Sequence, residues 1–453
     1  MPPANDVIEP IRLLDIEVAA PLPALSGSHA GQRYRRAVAL VRVHGVPIAL
    51  VPLELPETEL RPDDLAAEIW RNAGSGIADH LRRDALPEAH GLAGAGLKPA
   101  ADPECGRARR RLLEAAPPMS VVVATRERPH QLAVCLKSLL ECDYPRFEIV
   151  VVDNAPTTDA TRRLVQTFGH EGVAVRYVRE DRPGLAAAHA RALAEVDTPY
   201  IALTDDDVVV DRNWLAAMAA AFGSTADVAC VTGLILPTEL ETPAQIWLER
   251  RARLNKGFDR TIVRCGEDTR DPLFPYNAGR FGSGASMAFN TQALRSVGGF
   301  DKASGVGTPA RGGDDLIAFF RVVAAGHTLV YEPHALLWHA YPRELSRLRR
   351  QMFDYGAGLT AYLTSIVLEK PQLALDVLPR LPAAARYALS TRSPRNPRSN
   401  APFEQQLVWA ERRGMAYGPF GYLVSKRRLK RDELTPSATS PNFDPPNLSL
   451  TGE

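Results

Sequence analysis

The chain lacks any apolar run approaching the ~20 residues that a membrane-spanning helix needs. It is also short of net charge: 54 Lys and Arg against 53 Asp and Glu leave a formal +1. That balance removes the global attraction to an anionic polymer that a nucleic-acid partner would exploit, so none is expected. Cysteine is scarce as well. Cys105, Cys135, Cys142, Cys230 and Cys265 form no close-spaced pair of the kind that holds a metal, and an odd number in 453 residues suits reduced, structural thiols in a cytosol. The first residues, Met1 to Asp6, have neither a basic region nor an apolar core, so no signal peptide is expected. No internal repeat is evident. These absences together point to a cytoplasmic protein, at most peripheral on the inner membrane face.

What remains is ordinary globular composition, 45% hydrophobic and 24% charged, in a chain long enough for two or three domains. Residues 1–85 read as a small α+β module. Within it, the stretch from Arg36 to Val51 suits a hairpin with a Gly-containing turn, and a capped helix starts near Pro62. Residues 86–118 read as a linker with one short basic helix from Arg107 to Glu114. Residues 119–343 alternate short buried strands with helices four times, the pattern of an open α/β sheet that binds ligands beyond the carboxyl ends of its strands. Residues 344–432 read as a helical, partly basic extension, and residues 433–453 as a disordered Ser/Pro/Asn-rich tail. The basic runs, with Arg392, Arg395, Arg398 and Lys426 to Arg431, offer a peripheral contact to anionic lipid, although a solvated face is the default.

The most informative stretch is Asp205-Asp206-Asp207, set behind the apolar Tyr200 to Leu203 and followed by Val208-Val209-Val210. Three adjacent carboxylates repel one another, and ionised carboxylates are rarely buried without a counter-charge, which a divalent cation supplies. Strand alternation would put Asp205 and Asp207 on one face, where their oxygens suit Mn²⁺ or Mg²⁺. The bland alternative is an acidic turn. Other strand ends carry Thr125, Arg126 and Arg128, suited to a nucleotide or its phosphates, and Asp153, suited to a base N–H or a ribose hydroxyl. A Gly-rich loop from Gly305 to Gly313, which includes Arg311, leads into Asp314-Asp315 at a helix start, where one acid suits capping and the second a general base. His339 ends the apolar strand Leu336-Leu337-Trp338; a lone histidine there is more often structural, but a neutral imidazole could complete a metal site with Asp205 and Asp207.

From Ser120 to about Thr360 these motifs, in this order, resemble the family 2 glycosyltransferases, inverting enzymes of the GT-A fold. Thr125-Arg126-Glu127-Arg128-Pro129 resembles the family's opening nucleotide strand, Val152-Asp153-Asn154 its base-contacting aspartate, and Thr204 to Asp207 its metal-binding DxD element. The segment from Gly282-Ser283-Gly284-Ala285 to Gly298-Gly299-Phe300-Asp301 resembles the acceptor side, Asp314-Asp315 stands where the family has Glu-Asp, and Trp338-His339 resembles its late histidine. Two departures stand out: Ala188-His189-Ala190 replaces the usual Ala-Arg-Asn, so that a donor contact is either lost or shifted to Arg191, and Asp314 replaces the Glu.

The resemblance implies a GT-A, Rossmann-like mixed sheet with flanking helices, between the N-terminal α+β module and the helical extension. It implies a single in-line displacement that moves a sugar from a nucleoside-diphosphate sugar, most commonly a UDP-sugar, to an acceptor hydroxyl, with Asp315 as base. Thr125, Arg126, Arg128, Asp153, Arg191, Asp205 and Asp206 would bind the donor, Asp205, Asp207 and His339 would bind Mn²⁺ or Mg²⁺, and Gly284, Arg311 and Asp314 would face a carbohydrate, lipid-linked or small-molecule acceptor. The alternatives are a sugar nucleotidyltransferase, for which the glycines after the first strand are missing, and a degenerate nucleotide-binding scaffold.

Overall fold

The computed structural model describes residues 9–98, 102–168, 172–252, 254–266, 271–380, 382–384, 386 and 402–434. The tail expected to be disordered lies outside them from residue 435 on, as do Arg392, Arg395 and Arg398. Among the described residues no helix is long and apolar enough to cross a membrane.

The strand Met119–Thr125 is buried along its whole length, with Val121, Val122 and Val123 at 0% exposure. At about 1.5–3 kcal/mol for each fully buried valine side chain, such a run is stable only with both faces covered, which is the situation of a central parallel strand. It lies inside a nine-stranded sheet. Four strands run parallel in the order Ala174–Glu180, Phe147–Asn154, Met119–Thr125, Tyr200–Asp205. Parallel neighbours need crossovers, and the helices Pro129–Leu140, Ala160–Thr167 and Leu185–Glu195 supply them. Ser286–Asn290 then pairs antiparallel with Tyr200–Asp205 and with Val228–Pro237. Thr328–His339 runs parallel to Val228–Pro237, and both Val208–Val210 and Thr261–Val263 lie antiparallel on it. One core, with Leu136, Trp214 and Val151, fills one face, and another, with Leu203, Phe289 and Phe319, fills the other. The expected mixed sheet with flanking helices is present.

Register puts the chemistry at one edge. Thr125 stands opposite Asp153, Ala124 opposite Asp205, and His339 opposite Val208. The polar residues that end the buried runs are therefore level with one another.

The hairpin read from the sequence is Arg36–Val43 with Val46–Glu54, and the helix is Pro62–Arg83, whose Leu65, Ile69 and Ile77 are fully buried. A third strand, Ile11–Glu17, pairs parallel with Arg36–Val43 and was not read from the sequence. This layer docks on the large sheet through Leu40, which packs with Leu234, Tyr331 and Leu336, and through the buried ion pair of Arg42 Nη2 with Asp211 Oδ2 at 2.8 Å. After the large sheet, the helices Leu345–Glu369 and Pro402–Leu434 pack at close approach. A Cβ at Gly356 would collide with the Glu411 carbonyl, so this contact requires glycine.

Candidate active site

The strand Tyr200–Asp205 ends at the first of the three aspartates, and Asp206-Asp207 form a turn before Val208–Val210. Asp205 and Asp207 therefore meet around that turn, where strand alternation was expected to place them on one face. His339 Nε2 lies 3.3 Å from Asp207 Oδ1 and 3.7 Å from Asp205 Oδ2. One ligand atom from each of the three residues falls within 4.8 Å of the others. Asp205 keeps 33% of its side chain open, so its oxygens face the crevice. Asp206 points the other way: its Oδ2 accepts from Thr125 Oγ1 at 2.7 Å and its Oδ1 from Arg128 Nη1 at 3.0 Å. Arg128 Nη1 also donates to Asp207 Oδ2 at 3.2 Å.

The charges are incompletely balanced. Desolvation, followed by the Asp207 charge, pushes the Asp205 carboxyl up to about 7. Asp206 is also raised by desolvation, against the pull of Arg128 and Thr125. Desolvation opposes ionisation of Asp207 too, but the His339 hydrogen bond and the His339 and Arg128 charges outweigh it and hold that carboxyl below its ordinary value. One guanidinium and one imidazole thus face three carboxylates, and Asp205 is left without its share of positive charge. Two carboxylate oxygens and an imidazole nitrogen are a donor set that fits Mn²⁺ or Mg²⁺.

The second group of acids sits at the start of the helix Asp314–Ala324. Its N-cap, Gly313, has φ 87°, and a Cβ there would lie 3.2 Å from Tyr362 Cβ, so the turn into the helix depends on glycine. The loop before it closes with Gly305 N donating to Gly312 O at 3.1 Å, and docks on the start of the earlier helix Leu185–Glu195 through Leu185 N donating to Val306 O at 2.8 Å. The two acids then diverge. Asp314 is buried beside His189, Oδ2 to Nδ1 3.4 Å, with both atoms otherwise unpartnered. Asp315 is half-buried, its Oδ2 accepting from Gly284 N at 2.9 Å and its Oδ1 from Leu316 N at 2.8 Å. Desolvation, then the Asp314 charge, raises the Asp315 carboxyl to about 6, although both amide bonds pull it down.

On the nucleotide side, Asp153 is fully buried. Its Oδ2 accepts from the Tyr177 hydroxyl at 3.0 Å, while Oδ1 has no partner. Desolvation raises this carboxyl, so a buried donor aimed at Oδ1 would be welcome. Arg126 is exposed on the loop after the first strand. Arg191 faces outward in an ion pair with Glu195 at 2.7 Å, and it is His189 that approaches Asp314. Arg311, at φ 70°, lies 3.7 Å from Asp354 and lines a cavity of about 600 Å³ with Arg349, Arg350, Arg413 and Trp409.

Two positioning residues escaped the sequence reading. Glu127 accepts from Thr157 N at 2.6 Å, Thr158 N at 3.0 Å and Thr158 Oγ1 at 2.8 Å, which hold its carboxyl down at about 2 and tie the first two strand-end loops together. Asn154 accepts from Gly184 N at 2.9 Å and donates to Arg182 O at 2.8 Å, fixing the entry to the helix Leu185–Glu195. Glu127 lies on a loop and Asn154 ends the strand Phe147–Asn154, and nothing local in the sequence separates them from solvated polar residues.

Residues 117–355, just over half of the chain, match the sequence profile of Glycosyltransferase like family 2. A pre-mycofactocin glycosyltransferase of Mycobacterium tuberculosis is 26% identical over 175 residues, 39% of this chain and 34% of that relative, so the chain spans about a third of the relative's length. Among solved structures, the Pyrobaculum calidifontis mannosyltransferase PcManGT, in complex with GDP-Man and Mn²⁺, aligns at 19% identity over 73% of this chain and 82% of its own, with a TM-score of 0.40. The Mycobacterium tuberculosis glucosyl-3-phosphoglycerate synthase, with Mn²⁺, UDP and phosphoglyceric acid, aligns at 18% identity over 56% and 79%, with a TM-score of 0.37.

Proposed function

The chain belongs to Glycosyltransferase like family 2, and we propose that it moves a sugar from a nucleoside-diphosphate sugar to an acceptor hydroxyl by a single, inverting displacement. The observation that carries this reading is the division of labour among the acids. Asp205, Asp207 and His339 converge within 4.8 Å, while Asp315, on another element, is held by two amides with its carboxyl at about 6. A general base works best with a pKa near the operating pH, and Asp315 is the open member of its pair.

Asp205, Asp207 and His339 would hold Mn²⁺ or Mg²⁺, which when bound neutralises charge on the departing diphosphate. The chain's own groups do the rest. Asp153 Oδ1 would accept from the nucleotide base or ribose. Thr125 and Arg128 lock Asp206, and Arg128 also holds Asp207, so the carboxylates keep their positions; Arg126 is free to reach phosphate. Asp315 would take the acceptor hydroxyl proton as that oxygen attacks the anomeric carbon, and Gly284 N and Leu316 N keep the carboxylate aimed. UDP-sugars are the first donors to test, then thymidine and guanosine ones.

On the acceptor side, the arginine-rich cavity around Arg311 favours an acceptor that carries a phosphate or carboxylate, since guanidinium forks match those oxygens. The basic run Lys426 to Arg431, on the helix Pro402–Leu434, extends the same reading to peripheral contact with an anionic membrane surface.

The test is Asp315→Asn in the purified chain. Transfer should fall by about 10²–10⁴-fold while donor binding, followed by calorimetry with Mn²⁺, is kept; full activity in the variant would rule out Asp315 as the base.

A further inference from the structure

A second set of ligand-type side chains lies outside the crevice, in the N-terminal layer and the helix that follows it. His44 sits in the turn of the hairpin, His80 and Asp84 end the helix Pro62–Arg83, and Cys105 begins the helix Glu104–Glu114. Nothing in the transferase reading uses them. Their heteroatoms nevertheless face one another. Asp84 Oδ2 lies 3.0 Å from His44 Nδ1, 3.1 Å from His80 Nε2 and 3.0 Å from Cys105 Sγ. His80 Nε2 lies 3.3 Å from His44 Nδ1 and 3.8 Å from Cys105 Sγ. All four ligand atoms fall within 4.8 Å of one another.

A hydrogen-bonded knot accounts poorly for this spacing. One carboxylate oxygen offers two lone pairs, yet three polar heavy atoms converge on Asp84 Oδ2, and a His44 Nδ1–H that donates to that oxygen leaves Nδ1 unable to accept from His80 Nε2 3.3 Å away. Coordination accounts for it well. With metal–nitrogen and metal–oxygen distances of about 2.1 Å and metal–sulfur of about 2.3 Å, the edges of a tetrahedron are roughly 3.4–3.6 Å. Four of the five separations above, 3.0–3.3 Å, fall just short of those edges and the fifth, 3.8 Å, just beyond them, so small shifts would seat an ion.

We infer that His44, His80, Asp84 and Cys105 form a structural zinc site. The donor set selects the metal: one thiolate and two imidazoles suit Zn²⁺, whereas the oxygen-rich crevice suits Mn²⁺ or Mg²⁺. Four protein ligands close the shell, as in structural zinc sites; the His44, His80 and Asp84 side chains are 11%, 5% and 4% exposed, and Cys105 is half-buried. The surroundings hold the ligands in place. Cys105 N donates to Asp84 Oδ1 at 2.9 Å, and the amides of His44 and Gly45 donate to the Glu17 carboxylate at 3.0 and 2.7 Å. Binding is balanced by loss of the Cys105 thiol proton to solvent, with both histidines ligating as neutral imidazoles. The site would staple the hairpin turn to two helices. The second of these sets Leu112 and Leu113 against the core of the large sheet, so the zinc would fasten the N-terminal layer to the transferase.

The test uses the full-length chain, loaded with Zn²⁺ and then passed through a chelator that strips Mn²⁺. One equivalent of zinc should remain by elemental analysis, and stripping it with a stronger chelator should lower the melting temperature by several degrees. Cobalt in its place should give intense tetrahedral absorption with a thiolate charge-transfer band. Cys105→Ser should lose that band, and His80→Ala should lose the retained zinc, whereas Asp207→Ala should keep both. Only background zinc in the wild-type chain, or an unchanged equivalent in His80→Ala, would overturn the proposal. Because the wild-type zinc and cobalt measurements decide alone, a variant that fails to fold does not blunt the test, and failure here leaves the transferase reading untouched.

Discussion

The two clusters of ligand-type side chains in this molecule are built in opposite ways. In the crevice, carboxylates dominate, Asp205 keeps a third of its side chain open, and the burden of negative charge pushes its carboxyl up to about 7. In the N-terminal layer, the carboxylate of Asp84 is nearly dry and shares its surroundings with two imidazoles and a thiol. The first arrangement leaves room for a ligand to bring its own oxygens to a cation. The second leaves none. Acid that is crowded and open is the mark of a working site, and mixed soft donors that are packed and closed are the mark of a structural one.

The largest expected effect that would break this contrast is at Asp315. Asp315→Asn should lower turnover by about 10²–10⁴-fold, the usual worth of a positioned general base, with donor affinity by calorimetry unchanged. Loss of donor binding in step with turnover would make Asp315 a binding residue and blur the division of labour. Next is Asp207→Ala. Removing a second-sphere partner already costs metal affinity about 10–100-fold, so removing a ligand should cost at least about 100-fold in Mn²⁺ binding, together with the metal-dependent part of donor affinity. Calorimetry with and without Mn²⁺ reads both.

A third prediction concerns pH. Asp315 acts deprotonated, and its carboxyl stands at about 6. Turnover should therefore hold above that value and fall about tenfold per unit as pH drops below it. A rate profile flat down to pH 5 would contradict the assignment. The smallest effect sharpens the geometry. In Gly284→Ala the new Cβ would lie 3.2 Å from Asp315 Cβ and 3.3 Å from its Oδ2, displacing the carboxylate by a few tenths of an ångström. Since misplacement by ~1 Å costs about 10²-fold, this variant should lose on the order of tenfold in kcat with little change in KM.

How much of this was legible beforehand depends on how local each signal is. The strand ends were legible because a buried apolar run followed by polar residues marks an edge by itself, and parallel register then levels Thr125, Asp153 and Asp205. His339 was legible for the same reason. The meeting of Asp205 with Asp207 was foreseen on the wrong ground, since the chain turns there and the strand does not continue. Glu127 and Asn154 were not legible, because what they do is set by residues 28 to 31 positions away. Arg191 was expected near the donor, and its pairing with Glu195 on the outer helix face depends on a rotation that sequence does not announce. The zinc ligands were hidden most thoroughly. Only His80 and Asp84 have a helical spacing, while His44 and Cys105 arrive from a turn and a linker, so a search for close-spaced cysteines passes over them.

The central claim is that the crevice binds a nucleotide sugar through a cation held by Asp205, Asp207 and His339. It is tested most directly by measuring nucleoside-diphosphate release from a panel of nucleotide sugars with Mn²⁺ present or removed. The account predicts that the wild-type chain cleaves at least one donor slowly without acceptor, that this release stops when the metal is chelated, and that Asp207→Ala does not show it. Release that continues undiminished without metal, or in Asp207→Ala, would contradict it.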